Sequence, residues 1–373
     1  MNVLDDIRKY NTTEVGTKFI SPSEQGFAFF PVAEDGKAQA SPTSEFEILR
    51  GDLAKILGEN VMGEGREKIE WRFGVVIEEV IRNDDEGVEV KLSTGESQSY
   101  DILVAADGQW SRVRKTCFER DDLTVVDKNM YLAYFTIPKV ESDDAWWRVY
   151  MSLQSRLVSL RPDSHGTIRA MLSKMPLNEE EKAEWEAASR GKRDVQEKLL
   201  HRTFNDAGWE AKRCLKEMSN TEDFYFQAVQ QIRLKRWSVG RVVCLGDTAY
   251  APTPLTGAGT SLAIIGAYVL AGEISRLREG QNPRDAFQAF EKEFRGHVES
   301  EQDVPSFVPG IMHPGTPLKR WMIQSVISTV NWVVRTRLFK RLVMGDGGDS
   351  PEELYKQDFP LTRYEAFEDA VKA

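Results

Sequence analysis

The apolar positions of this chain change period along its length, and the changes mark out successive segments. In residues 1–128, short apolar runs and alternations predict strands at Lys68–Phe73, Val75–Arg82, Gly87–Leu92 and Ile102–Ala106. The polar run Asn83-Asp84-Asp85-Glu86-Gly87 between two of them has turn chemistry, so a hairpin is expected there. Residues 129–238 read differently. YLAYFTIP, WWRVYMSL, RLVSLRPD and TIRAMLSK are consecutive strands with polar turns, a charged helix runs from about Asn178 to Ala207, and FYFQAVQQIRLKRW is one more strand. A run of antiparallel strands with a helix on one side is an α+β layer. In residues 239–303 an α/β pattern returns, with a buried strand at Val242–Leu245 and a long helix at Thr260–Arg278. Residues 304–373 are helical after a Pro-rich entry, Val304 to Pro317. There, Gln324 to Lys340 places Val326, Ile327, Val330, Val333 and Val334 on one helical stripe. That reads either as an interfacial amphipathic helix or, as expected here, as a helix docked on the body of the protein; it is too short and too polar to span a bilayer.

Composition narrows the class. The 373 residues are 41% hydrophobic and 29% charged, ordinary for a soluble fold of two or three domains. A net charge of −10 with no basic stripe argues against nucleic acid as a partner. Cys117, Cys214 and Cys244 are widely spaced, which is neither a disulfide framework nor a metal pattern; a reducing, cytoplasmic setting is expected. His165, His201, His297 and His313 never pair at ligand spacing, so no zinc or iron site is expected. The opening MNVLDDIRKY lacks the apolar core of a signal peptide. A monomer without an integral membrane span is expected.

Two stretches carry candidate chemistry. Arg241 to Leu262, RVVCLGDTAYAPTPLTGAGTSL, reads as a buried strand, a Gly246-Asp247 pair, a Pro-rich loop and a Gly-x-Gly that opens a helix. Asp247 falls at the carboxyl end of the strand, where open α/β sheets bind ligands. Gly257 and Gly259 allow close backbone approach, and the helix after them begins with open N–H groups. Tyr100 to Arg114, YDILVAADGQWSRVR, repeats the theme: ILVAA is a buried strand, Asp107-Gly108 ends it, and Ser111 and Arg114 follow at a spacing that begins a helix. A plain strand-to-helix turn accounts for either stretch alone. A two-part nucleotide site accounts for both, with the two aspartates at one end of one sheet.

ADGQWSRVRK resembles the Asp-Gly-x-x-Ser-x-x-Arg motif of the class A flavin-dependent monooxygenases, the para-hydroxybenzoate hydroxylase-like group. GDTAYAPTPLTGAGTSLAIIGAYVLAGEI is similar to that family's second FAD motif, and EILRGDLAKIL to its Arg-x-x-Leu segment, in which an arginine, here Arg50, contacts FAD. In style the chain is similar to the tetracycline-inactivating and fungal secondary-metabolite monooxygenases. The resemblance implies an α/β FAD-binding (glutathione-reductase-like) domain in two parts, 1–128 and 239–303. It also implies an inserted α+β antiparallel-sheet substrate domain, 129–238, and a C-terminal helical segment, 304–373.

The chemistry implied is hydroxylation of an aromatic or polycyclic metabolite, with FAD, NADPH or NADH as transient reductant, and O2, through a flavin hydroperoxide. By the same resemblance, Gly246-Asp247 binds the ribityl or phosphate-proximal end of FAD. Asp107 and Gly108 form the loop beside the pyrophosphate, and Ser111 and Arg114 lock it. Pro254, Gly257 and Gly259 wall the flavin ring, and Arg50 makes a charge-assisted contact. No residue pair stands out as a general acid and base. Tyr131, Tyr134, Phe135, Trp146, Trp147, Phe224, Tyr225 and Phe226 are candidates to line a substrate pocket, with core packing as the alternative for each.

The sequence departs from the family in lacking the Gly-x-Gly-x-x-Gly unit, about 30 residues, that opens it. An N-terminally truncated fold with weak FAD affinity is therefore expected. A cofactor-poor remnant with a non-redox or scaffold role is the second reading. Tyr250 stands where the family usually has histidine.

Overall fold

The computed structural model of the chain describes residues 3–32, 47–64, 69–335 and 359–372. Helix α1 (Val3–Lys9) leads to strands β1 (Gly16–Ile20) and β2 (Gly26–Pro31) and then to helix α2 (Arg50–Glu64). Strands β3 (Ile77–Asn83), β4 (Val88–Leu92), β5 (Ser97–Tyr100) and β6 (Leu103–Ala105) precede helix α3 (Arg112–Cys117). Next come β7 (Leu123–Pro138), β8 (Trp147–Ser152), β9 (Arg156–Pro162) and β10 (Thr167–Lys174). Helices α4 (Glu179–Ser189), α5 (Arg193–Phe204) and α6 (Ala211–Met218) follow, then β11 (Tyr225–Leu234), β12 (Ser238–Val239) and β13 (Val242–Cys244). The remaining helices are α7 (Asp247–Tyr250), α8 (Gly259–Ser275), α9 (Pro283–Gln302), α10 (Val308–Ile311), α11 (Pro317–Arg335) and α12 (Glu365–Lys372).

These elements form two compact units. Unit 1 draws on Met1–Glu70, Asn129–Ala228 and Phe307–Gln357, and unit 2 on Trp71–Lys128, Val229–Ser306 and Asp358–Ala373. Unit 1 is built on a seven-stranded sheet in the order β11-β7-β10-β9-β8-β1-β2. β8, β9, β10 and β7 are antiparallel in succession, as their turn-separated alternation predicts, whereas β1 lies parallel to β8 with Phe19 opposite Val149. That pairing places the first residues in unit 1, apart from Ile102–Ala106, with which the sequence reading groups them.

One sheet face carries Tyr131, Phe135, Ile137, Val158, Leu160 and Ile168 and packs on Trp185, Leu200, Phe204 and Met218 of α4, α5 and α6. The charged helix expected from Asn178 to Ala207 is two helices. Gly191 N bonds to the Ala188 carbonyl at 2.9 Å where α4 stops, and Gln196 then caps that turn from α5.

Unit 2 holds a parallel β6–β13 pair extended by β12 and an antiparallel β3-β4-β5 sheet. The expected hairpin forms at β3–β4: Asp84 Oδ1 accepts from Glu86 N at 2.9 Å and Gly87 N at 3.2 Å. Asn83 then reaches across to donate to the Val239 carbonyl at 2.8 Å and accept from Arg241 N at 2.7 Å, tying the hairpin to the β12–β13 turn. Trp237, Phe287, Phe290, Phe294, Val242 and Val243 form the buried centre; each side chain of this size removed from water contributes about 1.5–3 kcal/mol.

The sequence reading departs from the structure at two strands. β13 is fully buried, but β6 is the edge of its three-stranded sheet, and Val104 is 38% exposed. Ile69 to Phe73 forms no strand, and Lys68 lies outside the described residues. The alternation of Ile69, Trp71 and Phe73 looked like a half-buried strand, yet Trp71 and Phe73 stack on each other at 5.8 Å and stay exposed.

Candidate active site

The site is built where two parallel strands end together. Val243 of β13 lies opposite Val104 of β6, and Leu245 N donates to the Ala105 carbonyl at 2.9 Å. The chain therefore leaves both strands at the same end, and Asp107 and Asp247 fall at that end, as the two-part reading requires.

The Asp-Gly loop after β6 is held by its own motif. Asp107 Oδ2 accepts from Arg112 N at 2.9 Å and Ser111 Oγ from Arg114 N at 2.9 Å, so two side chains satisfy the open amides of α3. Arg114 is 3% exposed. Its guanidinium donates to the Thr248 carbonyl and, at 2.5 Å, to the Gln109 carbonyl. Burial lowers the Arg114 pKa from its ordinary value. Gly108 N donates to Thr248 Oγ1 at 2.9 Å. Arg114 and Thr248 thus stitch the two strand-end loops together, and Ser111 locks the start of α3.

The second loop rests on unusual backbone. Gly246 has φ +62° and ψ −138°, a conformation that a side chain would strain, and it turns the chain from β13 into α7. Asp247 opens that helix and is exposed. Thr253 is a non-glycine residue at φ +96°, buried, with Oγ1 accepting from Leu255 N at 3.1 Å. Pro254 is exposed in the turn that follows, and Gly257 closes it at φ +68° with open space where a Cβ would stand. Gly259 begins α8, whose first turn leaves N–H groups without i−4 partners. An exposed carboxylate, an open glycine cradle and a helix start are the parts a dinucleotide with hydroxyls and a carbonyl edge requires, so the residues fit FAD.

Sequence reasoning missed Thr248. A hydroxyl directly after Gly-Asp is a weak signal, and its role depends on β6 and β13 being neighbours. Tyr250 turns inward: its ring meets Trp237 at 4.6 Å and Phe294 at 5.8 Å. Its buried hydroxyl has no hydrogen-bond partner among the described residues, and burial raises its pKa.

Arg50 belongs to unit 1, and the other candidate cofactor residues belong to unit 2. It is the exposed first residue of α2 and forms no ion pair among the described residues. Two positions on, Asp52 meets His165 Nε2 at 2.9 Å.

The aromatic candidates divide between two environments. Tyr131, Phe135, Phe224 and Phe226 belong to the core beneath α4–α6. Tyr134, Met171, Ser159 and Val149 succeed one another across the opposite sheet face. There Trp147 Nε1 donates to Ser159 Oγ at 2.5 Å and Arg161 stacks on the Trp147 ring at 4.9 Å. Burial raises the Tyr134 pKa against the opposing fields of Arg50 and Arg161. Trp146 packs on Phe29 at 5.5 Å, and Tyr225 is exposed.

Residues 8–302 match the FAD binding domain family, and the chain belongs to it. That family membership makes it a flavoprotein oxidoreductase of the monooxygenase class, with FAD as cofactor and NAD(P)H as the typical reductant. It is 31% identical over 324 residues to FAD-dependent monooxygenase asL6 of Sarocladium schorii, covering 83% of this chain and 75% of the relative. It is also 31% identical over 351 residues to monooxygenase CTB7 of Cercospora beticola, covering 91% and 81%. Among solved structures it is similar to the tetracycline destructase Tet(55), with TM-score 0.69 and 25% identity over 89% of this chain and 82% of the other. Klebsiella pneumoniae HpxO, complexed with FAD and uric acid, shares the fold at TM-score 0.63 and 18% identity, over 87% and 79%.

Proposed function

We propose that this chain hydroxylates an aromatic or polycyclic metabolite with FAD, NADPH or NADH, and O2. The observation that supports the reading best is the stitched pair of loops at the ends of β6 and β13, with Asp247 exposed at the end of β13 and an open turn at Gly257 ten positions on. The redox and O2 chemistry would be supplied by FAD when it is bound, which accounts for no acid–base pair standing out among the side chains. Asp247 holds hydroxyl or phosphate-proximal groups through its carboxylate. Gly108 and Asp107 shape the loop beside the pyrophosphate, and Arg114 with Ser111 fixes that loop. Backbone N–H groups between Pro254 and Gly259 meet a carbonyl edge, and Arg50 supplies a cation for an anionic group.

In this reading residues 1–128 and 239–303 serve FAD, 129–238 serve the substrate and 304–373 form a helical extension. Tyr134, Trp147, Ser159 and Met171 offer a substrate a mostly apolar face with a few polar groups, which suits an aromatic molecule. Cys117, Cys214 and Cys244 are free, which supports a reducing, cytoplasmic setting.

The test is NADPH and NADH oxidation by the chain in excess FAD, across a panel of phenolic and polycyclic compounds under isotopically labelled O2. Substrate-stimulated oxidation with one labelled oxygen atom in the product supports the reading. FAD-loaded protein that oxidises neither nicotinamide with any compound overturns it.

A further inference from the structure

Helix α11 carries two apolar stripes, and among the described residues only one is covered. On the inner stripe, Ile323 and Ile327 pack against the cluster that holds Phe19, Phe30 and Met151, and Asn331 Nδ2 donates to the Phe29 carbonyl at 2.5 Å. On the outer side Leu318, Trp321, Met322, Val326, Val330 and Trp332 are all exposed. At 3.6 residues per turn these six share one continuous arc. The stripe read from sequence therefore divides, with Ile327 inward and Val326 and Val330 outward. The hydroxyls on the outer arc are satisfied without water. Ser325 Oγ donates to the Trp321 carbonyl at 2.8 Å, and Thr329 Oγ1 to the Ser325 carbonyl at 2.8 Å.

Charge is segregated in the same segment. From Val304 to Gly345 the sequence has six lysines and arginines and no aspartate or glutamate, in a chain of net charge −10. A bare apolar arc with tryptophans and flanking cations matches an anionic lipid surface: headgroups meet the cations, and the arc enters the acyl boundary. A second copy of the chain would instead set like charges against each other. Among the described residues no helix is long and apolar enough to cross a membrane.

We infer that the outer face of α11 docks the protein on anionic bilayers, lying in the interface plane with Trp321 and Val326 buried and Lys319, which is exposed on the same arc, at the headgroups.

The test is co-sedimentation of the full chain with vesicles of phosphatidylcholine alone and with added phosphatidylglycerol, together with tryptophan fluorescence. Binding to the anionic vesicles is expected to be at least about tenfold tighter, with a blue shift, and to weaken several-fold in Lys319→Glu. Trp321→Ser with Val326→Ser is expected to cause a similar loss with an unchanged circular dichroism spectrum. If these variants misfold, the wild-type dependence on lipid charge and its loss near 1 M NaCl, where screening acts over about 3 Å, decide the matter. No binding to anionic vesicles overturns the inference, as does equal binding to both vesicle types. So does a dimer, by analytical ultracentrifugation, that Trp321→Ser dissociates.

Discussion

His313 carries its proton on Nδ1, because that atom faces the Pro309 carbonyl at 2.7 Å while Nε2 meets Ser173 Oγ at 2.7 Å. The ring is 4% exposed. Burial pulls its pKa from 6.5 down to about 4, with Lys174 and Lys319 adding to the effect and the Pro309 bond opposing it. The depressed value fixes the sign. Below about pH 6.5 the unfolded chain gains a proton that the folded chain refuses until about pH 4, so this stability is full at neutral pH and is lost as pH falls. The loss by pH 4 is on the order of 3 kcal/mol. Urea unfolding across that range, for wild type and His313→Gln, is expected to show the steeper acid loss in wild type alone. Equal slopes would contradict the assignment. Among the site residues, Ser111 and Asp107 were legible because their roles are local: each accepts from an amide a few positions on, at the start of α3. Thr248 was not, since its hydroxyl serves an amide 140 positions away.

The long elements were legible because each has a strong pattern of its own. β7 to β11 alternate or run apolar between polar turns, and α8 follows its glycine opening closely. What the sequence hid were breaks and partners. The turn at Gly191 is capped by Gln196 of the next helix, the short α6 is held by its buried face in the core beneath the sheet, and Ile69 to Phe73 had a strand pattern but formed no strand. The closest helix contact in unit 2 gives an element-scale test. A Cβ on Gly266 of α8 would stand 2.2 Å from the Tyr250 hydroxyl and 3.1 Å from Phe294 Cε1. Gly266→Ala is therefore expected to destabilise by about 1–3 kcal/mol through overpacking. Tyr250→Phe removes a buried hydroxyl that lacks a partner, so alone it is expected to be neutral or stabilising by about 1 kcal/mol. Thermal melts of both singles and the double should show Tyr250→Phe recovering much of the Gly266→Ala loss. Strict additivity would mean that the two helices do not meet through this hydroxyl.

Over the whole molecule, the pairing of the first strand could not be read from the sequence. Residues near the start look contiguous with Ile102–Ala106, yet β1 pairs with β8 more than a hundred positions on. Such a pairing rests on register and burial across the sheet, which no local period records. Asp107 and Asp247 could be placed together in advance because both follow short apolar runs that end in Asp-Gly or Gly-Asp, and β6 and β13 do lie side by side. The central claim is that these joined loops hold FAD. Its most direct test is a titration of FAD into the full chain and into Asp247→Ala, followed by flavin fluorescence. A thermal melt of each protein checks that both stay folded. The account predicts saturable binding that weakens at least about tenfold in Asp247→Ala, a loss of about 1.4 kcal/mol or more. Equal affinity in the two proteins, or no saturation in wild type, would contradict it.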